Sequence, residues 1–181
     1  MSDGKLIVVS GASGVGKSTV LELMMKKRPD LSFSVSATTR DPRKGEVDGV
    51  NYDFITKERF EEMIRNDEFL EYDAHNACYY GTPRAQIEEK RKKGPVLLDI
   101  EPNGAKMVRS TAPDAVLVFI MPPSVEELER RLRGRGDTPE DQIAMRLDRA
   151  KWEMEQRSWY DYVVVNDDAQ RCAQEILNII G

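Results

Sequence analysis

Gly11-Ala12-Ser13-Gly14-Val15-Gly16-Lys17-Ser18 matches G-x-x-x-x-G-K-[ST] in full. Glycines in such a run let the backbone turn its N–H groups inward on phosphate oxygens, at the positive end of a helix. Lys17 then reaches the β- and γ-phosphates of a nucleotide, and the Ser18 hydroxyl is a ligand for Mg²⁺. Context makes the motif specific. The run follows the apolar stretch Leu6-Ile7-Val8-Val9 directly and opens a helix carrying Leu21, Met24 and Met25. Asp99 ends a second apolar stretch, Val96-Leu97-Leu98, where a carboxylate would hold the same cation directly or through water.

The elements that must position these groups follow from pattern. Leu6–Val9, Val96–Leu98, Ala115–Ile120 and Tyr162–Val165 are short, continuous and aliphatic or β-branched. They read as parallel strands covered on both faces, with helices between them, hence an α/β fold. Ser124 and Glu127 predict a capping box, Thr138-Pro139 an N-cap with proline at the first helical position, and Gly94 the close of a helix begun near Arg84. Two stretches break the alternation. Residues 33–93 hold short strand-like pieces, a charged loop over 38–48 and a helix with Phe60, Met63 and Ile64; residues 124–157 are two charged helices around Arg133-Gly134-Arg135-Gly136-Asp137. A core with two inserted lobes fits this.

Most arginines of the second stretch need no chemistry. Glu126, Glu127 and Glu129 stand four residues before Arg130, Arg131 and Arg133, the favoured orientation for solvated helix pairs. Arg135 and Arg146 lack such an acid. Unpaired guanidiniums on a lobe suit a lid that closes over a transferring phosphoryl group.

The bulk properties exclude several classes. A net charge of −5 over 181 residues argues against a general nucleic-acid binder. Cys78 and Cys172 lie far apart and read as reduced thiols, and the lone His75 reads as an ordinary imidazole rather than a metal ligand. The apolar start is too short for a signal h-region or a membrane span, which predicts a cytoplasmic protein. The sequence fits a monomer or a homo-oligomer.

The segment after the loop narrows the acceptor. Ser36-Ala37-Thr38-Thr39-Arg40-Asp41-Pro42-Arg43-Lys44-Gly45-Glu46 sets two arginines three apart beside hydroxyls. Asn51-Tyr52-Asp53-Phe54, Phe69-Leu70-Glu71-Tyr72 and Tyr79-Tyr80-Gly81-Thr82-Pro83 follow. Together these supply phosphate forks, aromatic hydroxyls and a carboxylate.

With these runs, with Pro122-Pro123-Ser124 and with Val165-Asn166-Asp167-Asp168 near the end, the whole chain resembles the guanylate kinase family. The resemblance implies a P-loop NTPase core with a five-stranded parallel sheet (1–32, 94–123 and 158–181), a GMP-binding lobe (33–93) and a helical lid (124–157). It implies Mg²⁺-dependent transfer of the ATP γ-phosphoryl group to GMP. Gly11–Thr19 would hold ATP, with Asn166 near its base. Arg40, Arg43, Tyr52 and Tyr80 would bind the GMP phosphate, with Glu46 in the same loop, and Ser36, Glu71 and Thr82 would read guanine. Asp99 and Glu101 would lie at the metal and GMP side, with Ser18 and Asp99 as metal ligands; Lys17, Asp99, Arg135 and Arg146 would serve catalysis. The chain departs from the family pattern at Glu101, at Pro102-Asn103 and at Ala77-Cys78. Two other classes stay in view: a P-loop kinase of a phosphorylated sugar, and a non-catalytic phosphopeptide-binding module. A GTPase is disfavoured, since no N-K-x-D motif occurs.

Overall fold

A computed structural model describes residues 4–75, 77–134, 136 and 138–181. The elements begin β1 (Leu6–Gly11), α1 (Lys17–Lys27), β2 (Ser32–Phe33), β3 (Ala37–Thr38) and β4 (Asp53–Phe54). Next come α2 (Lys57–Arg65), β5 (Phe69–His75), β6 (Cys78–Pro83), α3 (Arg84–Arg91) and β7 (Val96–Asp99). The chain closes with α4 (Pro102–Thr111), β8 (Val116–Met121), α5 (Val125–Gly134), α6 (Glu140–Glu155), a 3-10 turn (Gln156–Trp159), β9 (Tyr162–Val165) and α7 (Ala169–Ile180). One sheet is five-stranded in the order β2-β7-β1-β8-β9, and its registers β2–β7, β1–β8 and β8–β9 are parallel. The four apolar runs read from sequence are all strands of it.

Two compact units divide the chain, one holding the residues up to Leu6 and Asp30–Ala115, the other Ile7–Pro29 and Val116–Gly181. In the first, a second sheet of four strands runs β4-β3-β6-β5. One face of it lies on α2, where Ala37, Phe60, Met63 and Phe69 form an apolar cluster joined by Tyr72 and Tyr79. Phe60 stacks on Phe69 and on Tyr79 at centroid distances of 4.3 and 5.1 Å. Helix α2 starts where Thr56 accepts a hydrogen bond from Arg59 N–H, a side-chain cap of the ordinary kind. Val96, Leu97 and Leu98 of β7 are wholly buried, and α4 packs on β5.

In the second unit, Ile7, Val8 and Val9 of β1 and Leu117–Ile120 of β8 are fully buried, and α1 packs against α7. Helix α7 buries Cys172, Ala173, Ile176, Leu177 and Ile180, and Asp168 caps it by accepting from Arg171 N–H. The expectation that all four strands are covered on both faces fails at β9. Tyr162, Val163 and Val165 are 45–46% exposed and only Val164 is buried. The reason is position: β9 is an edge strand, so it is sheltered by one neighbour only.

Helix ends differ in detail from their predicted forms. Ser124 does accept from Glu127 N–H at 3.1 Å, but the Glu127 carboxylate pairs with Arg130 and Arg131. Those pairs hold its carboxyl down at about 2. Pro139, not Thr138, takes the N-cap position of α6, so the helix begins one residue later than read. At the β5–β6 turn Ala77 has φ 61°, the left-handed region that favours glycine. No helix among the described residues is long and apolar enough to cross a membrane.

Candidate active site

The phosphate-binding loop leaves β1 and ends at Gly16, the N-cap of α1, with Lys17, Ser18 and Thr19 in the first turn. Gly14 and Gly16 adopt φ 83° and 90°. A Cβ at Gly14 would stand 2.6 Å from Leu132 Cδ2, and one at Gly16 would stand 2.9 Å from Asn166 Nδ2. Both glycines are therefore required by conformation and by space. The loop is braced from outside. Buried Asn166 donates its side-chain amide to the Val15 carbonyl at 2.8 Å, and Arg131 donates to the same carbonyl at 3.2 Å and to the Asn166 carbonyl at 3.0 Å. On the other side Ser13 N–H donates to the Glu153 carboxylate at 2.8 Å. Arg146 stands half-buried on α6; Arg135 lies outside the described residues.

The first unit sets four of the other candidates, Ser36, Glu71, Tyr80 and Thr82, on one sheet face. Strand β3 pairs antiparallel with β6 through Ala37↔Gly81 and Thr38↔Tyr80, and β6 pairs with β5 through Glu71↔Thr82 and Asp73↔Tyr80. Extending the β3 register by one residue sets Ser36 opposite Thr82. Ser36, Thr82 and Glu71 thus form a row across three strands, projecting away from the apolar cluster, with Tyr80 on the same face one row along. Thr82 Oγ1 donates to Glu71 Oε1 at 2.6 Å, and both residues are buried. Burial pushes the Glu71 carboxyl up to about 7, against the lowering effect of the Thr82 hydrogen bonds. Gly104, in the first turn of α4, lies so close that a Cβ there would overlap Glu71 Oε2.

Arg40 gives two parallel hydrogen bonds to Glu46, 3.0 Å to Oε2 and 2.9 Å to Oε1. Its guanidinium lies over the rings of Tyr52 and Phe54, 5.4 and 5.7 Å from their centroids. The Glu46 hydrogen bonds raise the Arg40 pKa further, and Tyr80 adds to this. Glu46, whose own pKa is lowered first by Arg40, also accepts from Arg43 N–H at 2.7 Å, while the Arg43 side chain is exposed. Tyr52 and Tyr80 meet edge to face with centroids 6.2 Å apart. Burial lifts the Tyr52 phenol above its ordinary value, and the Asp99 charge adds to the shift. Asp99 ends β7, and Glu101 takes the N-cap position of α4.

Parallel strands and a complete loop joining the first of them to its helix define an α/β protein of the P-loop NTPase class. The guanylate kinase family model matches residues 3–181. The chain is 48% identical to the guanylate kinase of Synechocystis over 179 residues, which is 98% of this chain and 94% of that one. With the guanylate kinase of Clostridioides difficile it is 49% identical, over 98% of this chain and 87% of the other. The crystal structure of guanylate kinase from Anaplasma phagocytophilum is similar at TM-score 0.76 and 33% identity, covering 99% of this chain and 85% of that one. The chain belongs to the guanylate kinase family, and it is an enzyme, an ATP:GMP phosphotransferase.

Three residues escaped the sequence reading. Arg131 keeps the helix pair with Glu127, at 2.9 Å, but its remaining N–H groups hold the loop. The i,i+4 pattern was a sufficient account of its charge and hid its reach. Glu153 carries one faint signal, an acid three residues past Ala150 at the buried stripe of α6. Gly104 gave no signal, because its neighbour Glu71 is remote in sequence.

Proposed function

We propose that GMP binds on the row Ser36–Thr82–Glu71 and that its phosphate meets Arg40, Arg43, Tyr52 and Tyr80. The observation that carries this is the row itself, a buried carboxylate hydrogen-bonded to a buried hydroxyl on one sheet face. Guanine offers N1–H and N2–H₂ as adjacent donors, which a two-oxygen acceptor satisfies together. Adenine offers a bare N1 lone pair in the same place. Glu46 serves as the clamp that orients the Arg40 fork, and the phosphate takes the N–H groups that Glu46 and the Asp41 carbonyl leave.

ATP lies in the loop Gly11–Thr19, whose amides and Lys17 hold its phosphates. Segment 33–93 acts as the acceptor lobe and 124–157 as the lid, with Arg135 and Arg146 meeting charge on the transferring group. The Ser18 hydroxyl, exposed at the start of α1, and the half-buried Asp99 carboxylate are hard oxygen donors, the kind Mg²⁺ takes alongside substrate phosphates. Bound there, Mg²⁺ would neutralise phosphate charge. A GMP phosphate oxygen is already anionic, so direct in-line attack on the γ-phosphorus needs no general base. Cys78 and Cys172 are both free thiols, as a reducing cytoplasm would leave them.

A kinase of a phosphorylated sugar has no use for a base-reading row. A phosphopeptide-binding module has no use for a complete loop. ADP formation with GMP, AMP, CMP, UMP and a sugar phosphate offered in turn tests the reading. Turnover with GMP far above the others is expected. Equal turnover with AMP would remove the base-reading role of the row.

A further inference from the structure

We propose that Glu153 is a positioning residue that registers α6 on the phosphate-binding loop and so sets where Arg146 stands. The inference rests on the reading of that loop as the ATP site. Glu153 is 3% exposed, yet it is a carboxylate beside a loop whose amides are to receive anions. Its two oxygens are separately engaged: Oε2 accepts from Ser13 N–H at 2.8 Å, and Oε1 accepts from Arg149 at 3.0 Å. Arg149 in turn lies over the Trp152 ring, 4.7 Å from its centroid. The carboxylate is thus buried, paired and fixed from two sides, which a mere placeholder displaced by each incoming phosphate would not be. Its charge is offset by Arg149, so the loop keeps its attraction for phosphate.

Helix geometry extends the argument to Arg146. Seven residues turn a helix by about 700°, some 20° short of two turns, and advance it by roughly 10.5 Å. Arg146 and Glu153 therefore lie on one stripe of α6, both facing the side that buries Ile143 and Ala150. A hydrogen bond from Ser13 to Glu153 fixes the rotation and the height of that stripe against the loop. Rotation by one residue, about 100°, would move Arg146 away from its present place on that side. The brace acts through Arg146 and the loop amides and touches no substrate.

The test uses E153A and E153Q, each alone and combined with R146A, with K17M alongside. A charge-assisted hydrogen bond of this kind is worth about tenfold or more. E153A should raise KM for ATP by about that factor and leave KM for GMP within about twofold. E153Q should recover part of the loss, since a carboxamide oxygen still accepts from Ser13 N–H while its NH₂ replaces the acceptor that Arg149 had. In the R146A background E153A should cost much less than alone, because the two act as a unit. Equal rises in both KM values, tighter ATP binding, or additive losses with R146A would each overturn the proposal. Should E153A not fold, E153Q and the exchange rate of the Ser13 amide decide it, since that amide must be protected in the wild type. If K17M keeps its turnover, the ATP site itself is misplaced; if K17M is dead and E153A is normal, only the brace falls.

Discussion

Glu71→Gln separates what the fold prefers from what the base site requires. Glu71 is 4% exposed, and burial lifts its carboxyl from 4.5 to about 7. At about 1.4 kcal/mol per pKa step, the ionised form costs the fold about 3 kcal/mol above pH 7. Between pH 4.5 and about 7 the folded chain binds more protons here than the unfolded one, so stability falls as pH rises through that window. Glutamine keeps the acceptor oxygen for Thr82 but carries no charge. Urea denaturation should therefore show E71Q gaining on the wild type by up to about 3 kcal/mol between pH 5 and pH 8. Activity should move the other way. Only the ionised carboxylate accepts from guanine, so wild-type kcat/KM for GMP should rise with pH up to about 7, after division by the E71Q profile to remove the titration of GMP itself. E71Q should lose about 10⁴-fold in kcat/KM for GMP, since a donor then faces a donor. A stability difference that is flat from pH 5 to 8 would show that no charge is buried at Glu71. Undiminished use of GMP by E71Q would move base reading elsewhere.

Four further outcomes are expected. K17M should lower kcat about a thousandfold or more with an unchanged melting temperature, because lysine here acts on charge rather than packing; a tenth of wild-type turnover would refute its role. R40A should raise KM for GMP about tenfold or more while KM for ATP stays put, and R43A should act the same way; parallel rises for both substrates would place these arginines outside the acceptor site. G104A should raise KM for GMP by displacing the Glu71 carboxylate that lies against it, and an unaltered KM would show that the carboxylate has room to move. A77G should stabilise the fold by about 0.5–1 kcal/mol, the relief of a left-handed alanine less the added chain entropy of glycine; an unchanged or lowered midpoint in urea would count against strain at that turn.

The phosphate-binding loop and four of the five parallel strands were legible in the chain, because each is made of contiguous residues whose backbone requirements are local; the two-residue β2 was not. Eight residues carry the loop, and runs of four to six carry β1, β7, β8 and β9. Resemblance named candidate acceptor residues, but only pairing among β3, β6 and β5 puts Ser36, Thr82 and Glu71 in one row. Nothing in the order of residues 36, 71 and 82 fixes a register; the burial of Ala37, Tyr72 and Tyr79 on the opposite face does. The pairing of Arg40 with Glu46 depends on a turn through Gly45 at φ 89°, and a charge pattern does not specify such a turn. Ser13 and Glu153 are 140 residues apart, and no periodicity links them. Sequence determined which groups bear charge and which segments are helix or strand. Tertiary packing decided which of those charges are buried, and burial is what gives the Glu71 carboxyl its raised pKa and the Glu153 carboxylate its fixed partners.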